Sequence, residues 1–331
     1  MLQQDSFTDD INHPTPSASS QDKMPERYLK KRKNTVKHHK AKSTSLIVLA
    51  LALLILISYN FTASHKQLTD FNLTSSAYEH ILKQPLEEII EALSPSVLNT
   101  PIILSLIEES ATYPQAKILL ANHEAYPDIL LELAANRPET LDFVINYVNY
   151  ESSTLSTHSI SIDDDFKPGS IPLFLQWDKR WGYERYGTEF IASSACGPTA
   201  LSMVAVGLTG NTDMHPKAVS DLSYDLGYFH ASQGTSWALM SEGAAKLGLN
   251  SKEIPLDASI IYNVLGEGHP IIASMKPGHF TKAGHFIVLT GTTSDGKIKV
   301  NDPGSIENSK IAWDLDIIMN ETKNLWAFSA A

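Results

Sequence analysis

Ser193-Ser194-Ala195-Cys196-Gly197-Pro198-Thr199-Ala200-Leu201-Ser202-Met203 holds the only cysteine among 331 residues. The residues after it, Leu201, Met203, Val204, Ala205, Val206 and Leu208, mix apolar and small side chains at the spacing of a buried helix. Pro198 suits the first turn of such a helix, where a missing N–H removes no bond. The Cys196 sulfur is therefore expected at the helix entrance, beside unpaired N–H groups and the positive end of the macrodipole, a setting that favours thiolate over thiol. A nucleophile needs a base. Downstream, Gly284-His285-Phe286-Ile287-Val288-Leu289-Thr290 and Lys299-Val300-Asn301-Asp302-Pro303 read as the strands of a hairpin that bears one.

Counting the hairpin with Gly291 to Gly296 as a six-residue loop pairs Thr290 with Lys297 and sets His285 opposite Asp302. Directly opposed residues share a face, with Cβ atoms about 5 Å apart. Cys196, His285 and Asp302 thus read as a nucleophile, its base and the group that orients the base. Gln176 is the candidate side-chain donor to an oxyanion, alongside the Cys196 N–H, since a neutral amide suits developing negative charge. Trp237 is assigned to substrate contact. His279, on a glycine-flanked loop, reads as a cleft-rim residue, because only His285 opens an apolar strand.

Around these strands, helical patterns run from Pro216 to Leu226, from Thr235 to Gly248 and from Leu256 to Leu265, with a further strand at Pro270 to Ser274. Helices first and an antiparallel sheet afterwards define an α+β domain over 171–331. Before it, 151–170 is rich in Ser, Thr and Asp and reads as a linker. Residues 65–150 form a small helical array or stalk, punctuated by Pro114, Pro127 and Pro138.

The net charge of −11 conceals an asymmetry: residues 1–42 carry +4 and the rest −15. That tail, polar and without apolar periodicity, reads as disordered and cytoplasmic. Residues 43–64 contain no acidic or basic side chain. About 20 such residues span a bilayer. Basic residues precede the span and few follow it, so the catalytic part is expected outside the cytoplasm, on a single-pass signal-anchor helix. A cleaved signal is the other reading, but the leading segment is long and no A-x-A-like site follows. The basic cluster at Lys30 to Lys33 then serves topology, and no nucleic-acid partner is called for. A lone cysteine excludes an internal disulfide framework.

Gln176-Trp177-Asp178-Lys179-Arg180-Trp181, Ser194-Ala195-Cys196-Gly197-Pro198-Thr199, Gly278-His279-Phe280-Thr281, Gly284-His285-Phe286-Ile287-Val288-Leu289 and Asn301-Asp302-Pro303 occur in that order over about residues 170–330. Together they resemble the peptidase family 39-like cysteine peptidases, papain-like-fold relatives of the bacteriocin-leader processing peptidases. The resemblance implies a peptide or protein substrate, no cofactor, Cys196 as nucleophile, His285 as base, Asp302 as orienting residue and Gln176 as oxyanion donor. The chain departs from that pattern in lacking a transporter domain and in the longer run from Gln176 to Cys196. Two other classes fit parts of the pattern. One is a papain-like module that binds peptides or cell-envelope material with an idle triad. The other is a zinc hydrolase ligated by His279, His285 and Asp302, although no helix-spaced histidine pair such as H-E-x-x-H supports it.

Overall fold

A computed structural model describes residues 74–152 and 159–331. The tail read over 1–42 and the span read over 43–64 lie outside the described residues, among which no helix is long and apolar enough to cross a membrane. Within His65–Ala331 the described residues form one compact unit.

The first part of the described chain is a stack of short helices, among them Pro101–Glu109, Ala116–Ala121, Asp128–Asn136 and Leu141–Ile145. Proline spacing sets their lengths, though not uniformly. Pro101 opens a helix at its first position, Pro127 is the N-cap of Asp128–Asn136, Pro138 starts a 3₁₀ turn, and Pro114 lies in the turn ahead of Ala116. Each of these four helices buries a short apolar stripe, including Ile118, Leu119 and Leu120 and then Leu130 and Leu131.

This stripe does not close on itself. Tyr183, Phe190 and Ala192, all downstream of residue 170, belong to the same apolar core. Phe143 stacks on Tyr183 with ring centroids 4.2 Å apart, and the Tyr183 hydroxyl donates to the Phe143 carbonyl at 2.7 Å. The expectation of a separate array or stalk over 65–150 is therefore corrected: the helices are fused to the domain that follows, because their apolar faces are completed by its side chains. The described part of the 151–170 linker is docked too. Ile162 is fully buried, and the Arg180 guanidinium holds Asp165 at 2.6 Å and Asp178 at 2.7 Å.

The Cys196–Thr209 helix ends at Gly210, whose φ of +71° is the left-handed cap that glycine adopts without strain. From Gly197 to Val206 every residue is buried. That explains a sequence apolar on all sides, since this helix is enclosed and not laid on a surface.

It packs on a six-stranded antiparallel sheet built from β1 (Leu249–Ile254), β2 (Ile271–Met275), β3 (His285–Thr292), β4 (Ile298–Asn301), β5 (Ala312–Trp313) and β6 (Thr322–Ala330), in the order β1-β6-β2-β3-β4-β5. The last strand returns to lie between β1 and β2. Alternation along β3 sorts the sheet into two cores: Phe286 and Val288 join the Cys196 helix, while Ile287 and Leu289 join the layer that includes Ile261 and Leu265 of the Ala258–Gly266 helix. Helices leading and an antiparallel sheet following is the α+β order expected. The helix read from Thr235 to Gly248 is broken into a short strand, a π-helical turn and one α turn.

The hairpin count is corrected. Val288 pairs with Asn301 and Leu289 with Val300, a register two residues displaced from the one counted, and beyond a one-residue bulge at Thr290 the pairs are Gly291 with Lys299 and Thr292 with Ile298. Continued outward, this register brings His285 opposite Gly304 and Asp302 onto the diagonal. A shift of two keeps every side chain on its face, so His285 and Asp302 still share one.

Candidate active site

Three elements converge at one end of the sheet. Cys196 is the first residue of its helix, its free thiol half-buried. His285 is the first residue of β3. Asp302 follows β4 directly, where a bridge to Ser305 turns the chain.

Asp302 is fully buried, and its carboxylate accepts three hydrogen bonds: from His285 Nε2 at 2.6 Å, from the Gly304 N–H at 2.7 Å and from Asn308 Nδ2 at 2.8 Å. Burial alone would push its pKa up. The His285 charge and hydrogen bond, the Arg137 charge and the Asn308 bond outweigh that, and the carboxyl is held below its ordinary value. The Asp302 carboxylate is thus the fixed anion of the site.

With Nε2 given to Asp302, Nδ1 is the ring nitrogen left for the thiol, which lines the same cleft as His285. Burial disfavours the imidazolium, but the Asp302 charge and hydrogen bond, then the bond and charge of Cys196, raise the His285 pKa to about 9. Cys196 answers in the opposite direction. Burial raises its pKa, yet the His285 bond and charge and the N–H groups of Phe286 and Gly197 bring it below the ordinary thiol value. The two shifts describe one coupled pair that prefers thiolate and imidazolium to thiol and imidazole.

The loop behind Asp302 is clamped from two directions. Gln176 donates its backbone N–H to the Pro303 carbonyl at 2.7 Å, and Trp177 Nε1 donates to the Gly304 carbonyl at 3.0 Å. Gln176 itself is buried: its Nε2 donates to the Ala192 carbonyl, and its Oε1 has no partner. One N–H of the amide is thereby committed to backbone just ahead of Cys196.

Arg137, from the helical array, reaches the same place. It donates to the Phe280 carbonyl at 2.8 Å and packs so closely on Gly304 that a Cβ there would lie 3.1 Å from its Cζ and 3.2 Å from His285 Cε1. Neighbouring Glu139 accepts the Ile306 N–H at 2.8 Å. In the sequence Arg137-Pro138 reads only as helix punctuation, and nothing in the array points to chemistry. The signal was absent, because the contact joins residues more than a hundred positions apart.

Above the thiol opens a cleft of about 690 Å³, lined by Cys196 and His285, by Trp237, and by one helix of the array. Trp237 is 45% exposed and packs edge-on against Trp326 at 5.4 Å. His279 does not join the other two proposed metal ligands. Its ring pairs with the Glu321 carboxylate and meets the edge of Trp313, and among the described residues no group of three or more His, Cys, Asp and Glu is placed to hold a metal. The zinc reading is corrected on that ground.

A thiol at a helix start and an imidazole that a buried carboxylate holds from behind thus line one cleft. Residues 169–329, just under half of the chain, match the Peptidase_C39 like family, a likeness that supports a cysteine-type peptidase. Among solved structures, the peptidase domain of Streptococcus ComA, a bi-functional ABC transporter involved in a quorum-sensing pathway, is similar at 21% identity and a TM-score of 0.33, over 41% of this chain and 92% of that one. No curated protein matches the chain.

Proposed function

We propose that this peptidase hydrolyses peptide bonds with Cys196 as nucleophile, His285 as general acid and base and Asp302 as the residue that orients the ring. The observation that carries the reading is a cleft lined by both the Cys196 thiol and an imidazole whose Nε2 is held at 2.6 Å by a buried carboxylate. The thiolate attacks the scissile carbonyl carbon, and the carbonyl π pair moves onto oxygen. Collapse of that oxyanion expels the amine, which takes its proton from His285, and leaves a thioester on Cys196. Neutral His285 then removes a proton from water, the hydroxide displaces the sulfur, and the thiolate and imidazolium are restored.

The oxyanion is assigned to the Cys196 N–H at the helix entrance and to the second N–H of Gln176 Nε2. The bond to the Ala192 carbonyl supports this, since it fixes which end of the amide is nitrogen. Trp237 is assigned to the substrate. Residues 43–64 are proposed to anchor the enzyme in a membrane, with 1–42 cytoplasmic and the catalytic part outside, on the strength of the uncharged span and its basic flank. Alkaline extraction and protease shaving of full-length protein in vesicles test the topology: a shaved domain and a retained tail support it, and solubilised intact chain overturns it.

Activity is tested by peptide-library profiling of the full chain beside Cys196→Ala. Cleavage by the first and none by the second is expected. Equal cleavage by both would remove Cys196 from the mechanism, and binding without cleavage by the wild type would make the domain a peptide-binding module.

A further inference from the structure

The array helix Asp128–Asn136 has two faces. Leu130, Leu131, Ala134 and Ala135 are buried in the shared core. Ile129, Glu132, Leu133 and Asn136, at the i, i+3, i+4, i+7 spacing of a single helical stripe, line the same cleft as Cys196 and His285. None of these four lies in the family region of residues 169–329. This chain has therefore added a wall to the cleft from outside its peptidase segment.

The wall is built in place. Asn136 Oδ1 accepts a hydrogen bond from Lys282 Nζ at 2.9 Å, and Arg137 ties the helix end to Phe280, so the helix is fastened to the loop that leads into His285. Between those ties and the cleft mouth, Ile129 and Leu133 are half-exposed apolar side chains, and Glu132 between them is exposed. Among the described residues Glu132 has no hydrogen-bond or ion-pair partner. The other carboxylate lining the cleft is committed: Glu189 accepts from the Ser232 N–H at 2.9 Å and from the Ser194 hydroxyl. Glu132 is thus the uncommitted anion on this wall, set between two apolar side chains.

Resting on the peptidase reading above, we propose that this stripe is a specificity wall. A peptide substrate lays a bulky apolar side chain against Ile129 and Leu133 and directs a nearby Lys or Arg to Glu132, while its scissile carbonyl faces Cys196. The chemical class is a peptide with an apolar and a basic residue on one side of the cleavage point.

The test profiles full-length wild type, Glu132→Lys and Leu133→Ala against a mixed peptide library, with the iodoacetamide rate of Cys196 measured in each. Glu132→Lys should lower the preference for Lys or Arg over Asp or Glu at one position about fivefold, the scale of an exposed ion pair. Leu133→Ala should lower kcat/KM for bulky apolar residues about tenfold, through KM and not kcat. Alkylation should stay within about twofold of wild type, the ordinary spread of a surface change. Unchanged profiles in both variants overturn the wall alone. Loss of all turnover together with slowed alkylation also overturns it, since the helix would then only hold the site together. A wild type that cleaves nothing in the library overturns the peptidase reading and the wall with it.

Discussion

At the scale of single residues, the site is a chain of charge: Arg137 beside Asp302, Asp302 on His285, His285 on Cys196. The pKa of the thiol is lowered and that of the imidazole raised to about 9, which fixes the sign of the pH dependence. Acid protonates the thiolate and stops attack; alkali takes the imidazolium proton and stops departure of the amine. A plot of kcat/KM against pH should be a bell with its alkaline limb near 9. Asp302→Asn removes the charge that does most to raise His285, so that limb should move to lower pH. An amide can still orient the ring, so this variant should lose less activity than His285→Ala, for which the expected loss is about 10²- to 10⁴-fold. Equal losses would contradict the division of roles. Gln176→Ala should lower kcat by about 10²-fold, with thiol alkylation unchanged, if its amide meets the oxyanion.

Among the elements, the β3–β4 ribbon and its loop set the geometry. Gly304 stands opposite His285, where a Cβ would meet Arg137 and the imidazole at 3.1 to 3.2 Å, so that one of them must give. Gly304→Ala would press on Arg137 and the imidazole together, and a displacement of the base near 1 Å costs up to about 10²-fold in rate. The flexible guanidinium gives way more readily than the enclosed ring. Arg137→Ala should therefore recover part of the loss in the double variant, a coupling that a double-mutant cycle of kcat/KM measures. The sequence shows the ribbon well, because Phe286 to Leu289 is a short continuous apolar run bounded by glycines. Its register is less visible. The bulge at Thr290 leaves no mark in the residue types, and the count came out two residues off while the shared face survived. The strands Leu249–Ile254 and Thr322–Ala330 escaped notice because polar residues such as Asn250, Ser251, Lys252 and Asn324 interrupt them.

Taken whole, the described molecule is one body in which a helical array completes the peptidase. Phe143 is the clearest test: buried and stacked on Tyr183, it should cost about 3–5 kcal/mol on replacement by Ala, read from denaturant unfolding of the entire His65–Ala331 unit in one transition. An early separate transition with the peptidase part unaffected would return the array to the status of an independent segment. Composition shows the helices but not what they pack on. The apolar stripes of Ile118 to Leu120 and Leu130 to Leu131 announce a buried face, yet nothing in them names Tyr183, Phe190 and Ala192 as its other half. Cys196 and His285 were legible because a lone cysteine and a histidine that opens an apolar strand sit at element boundaries, and Asp302 because it closes the neighbouring strand, whereas Arg137 and Glu132 look like any charge on a solvated helix.

In the proposed mechanism the Cys196 thiol and the His285 ring share a proton. The most direct measurement is the rate of Cys196 alkylation by iodoacetamide as a function of pH, in wild type and in His285→Ala. The account predicts a wild-type thiol already reactive well below its ordinary titration range, and a midpoint that climbs to or above that range when the imidazole is removed. Superimposable curves, both with the midpoint of an ordinary free thiol, would contradict it.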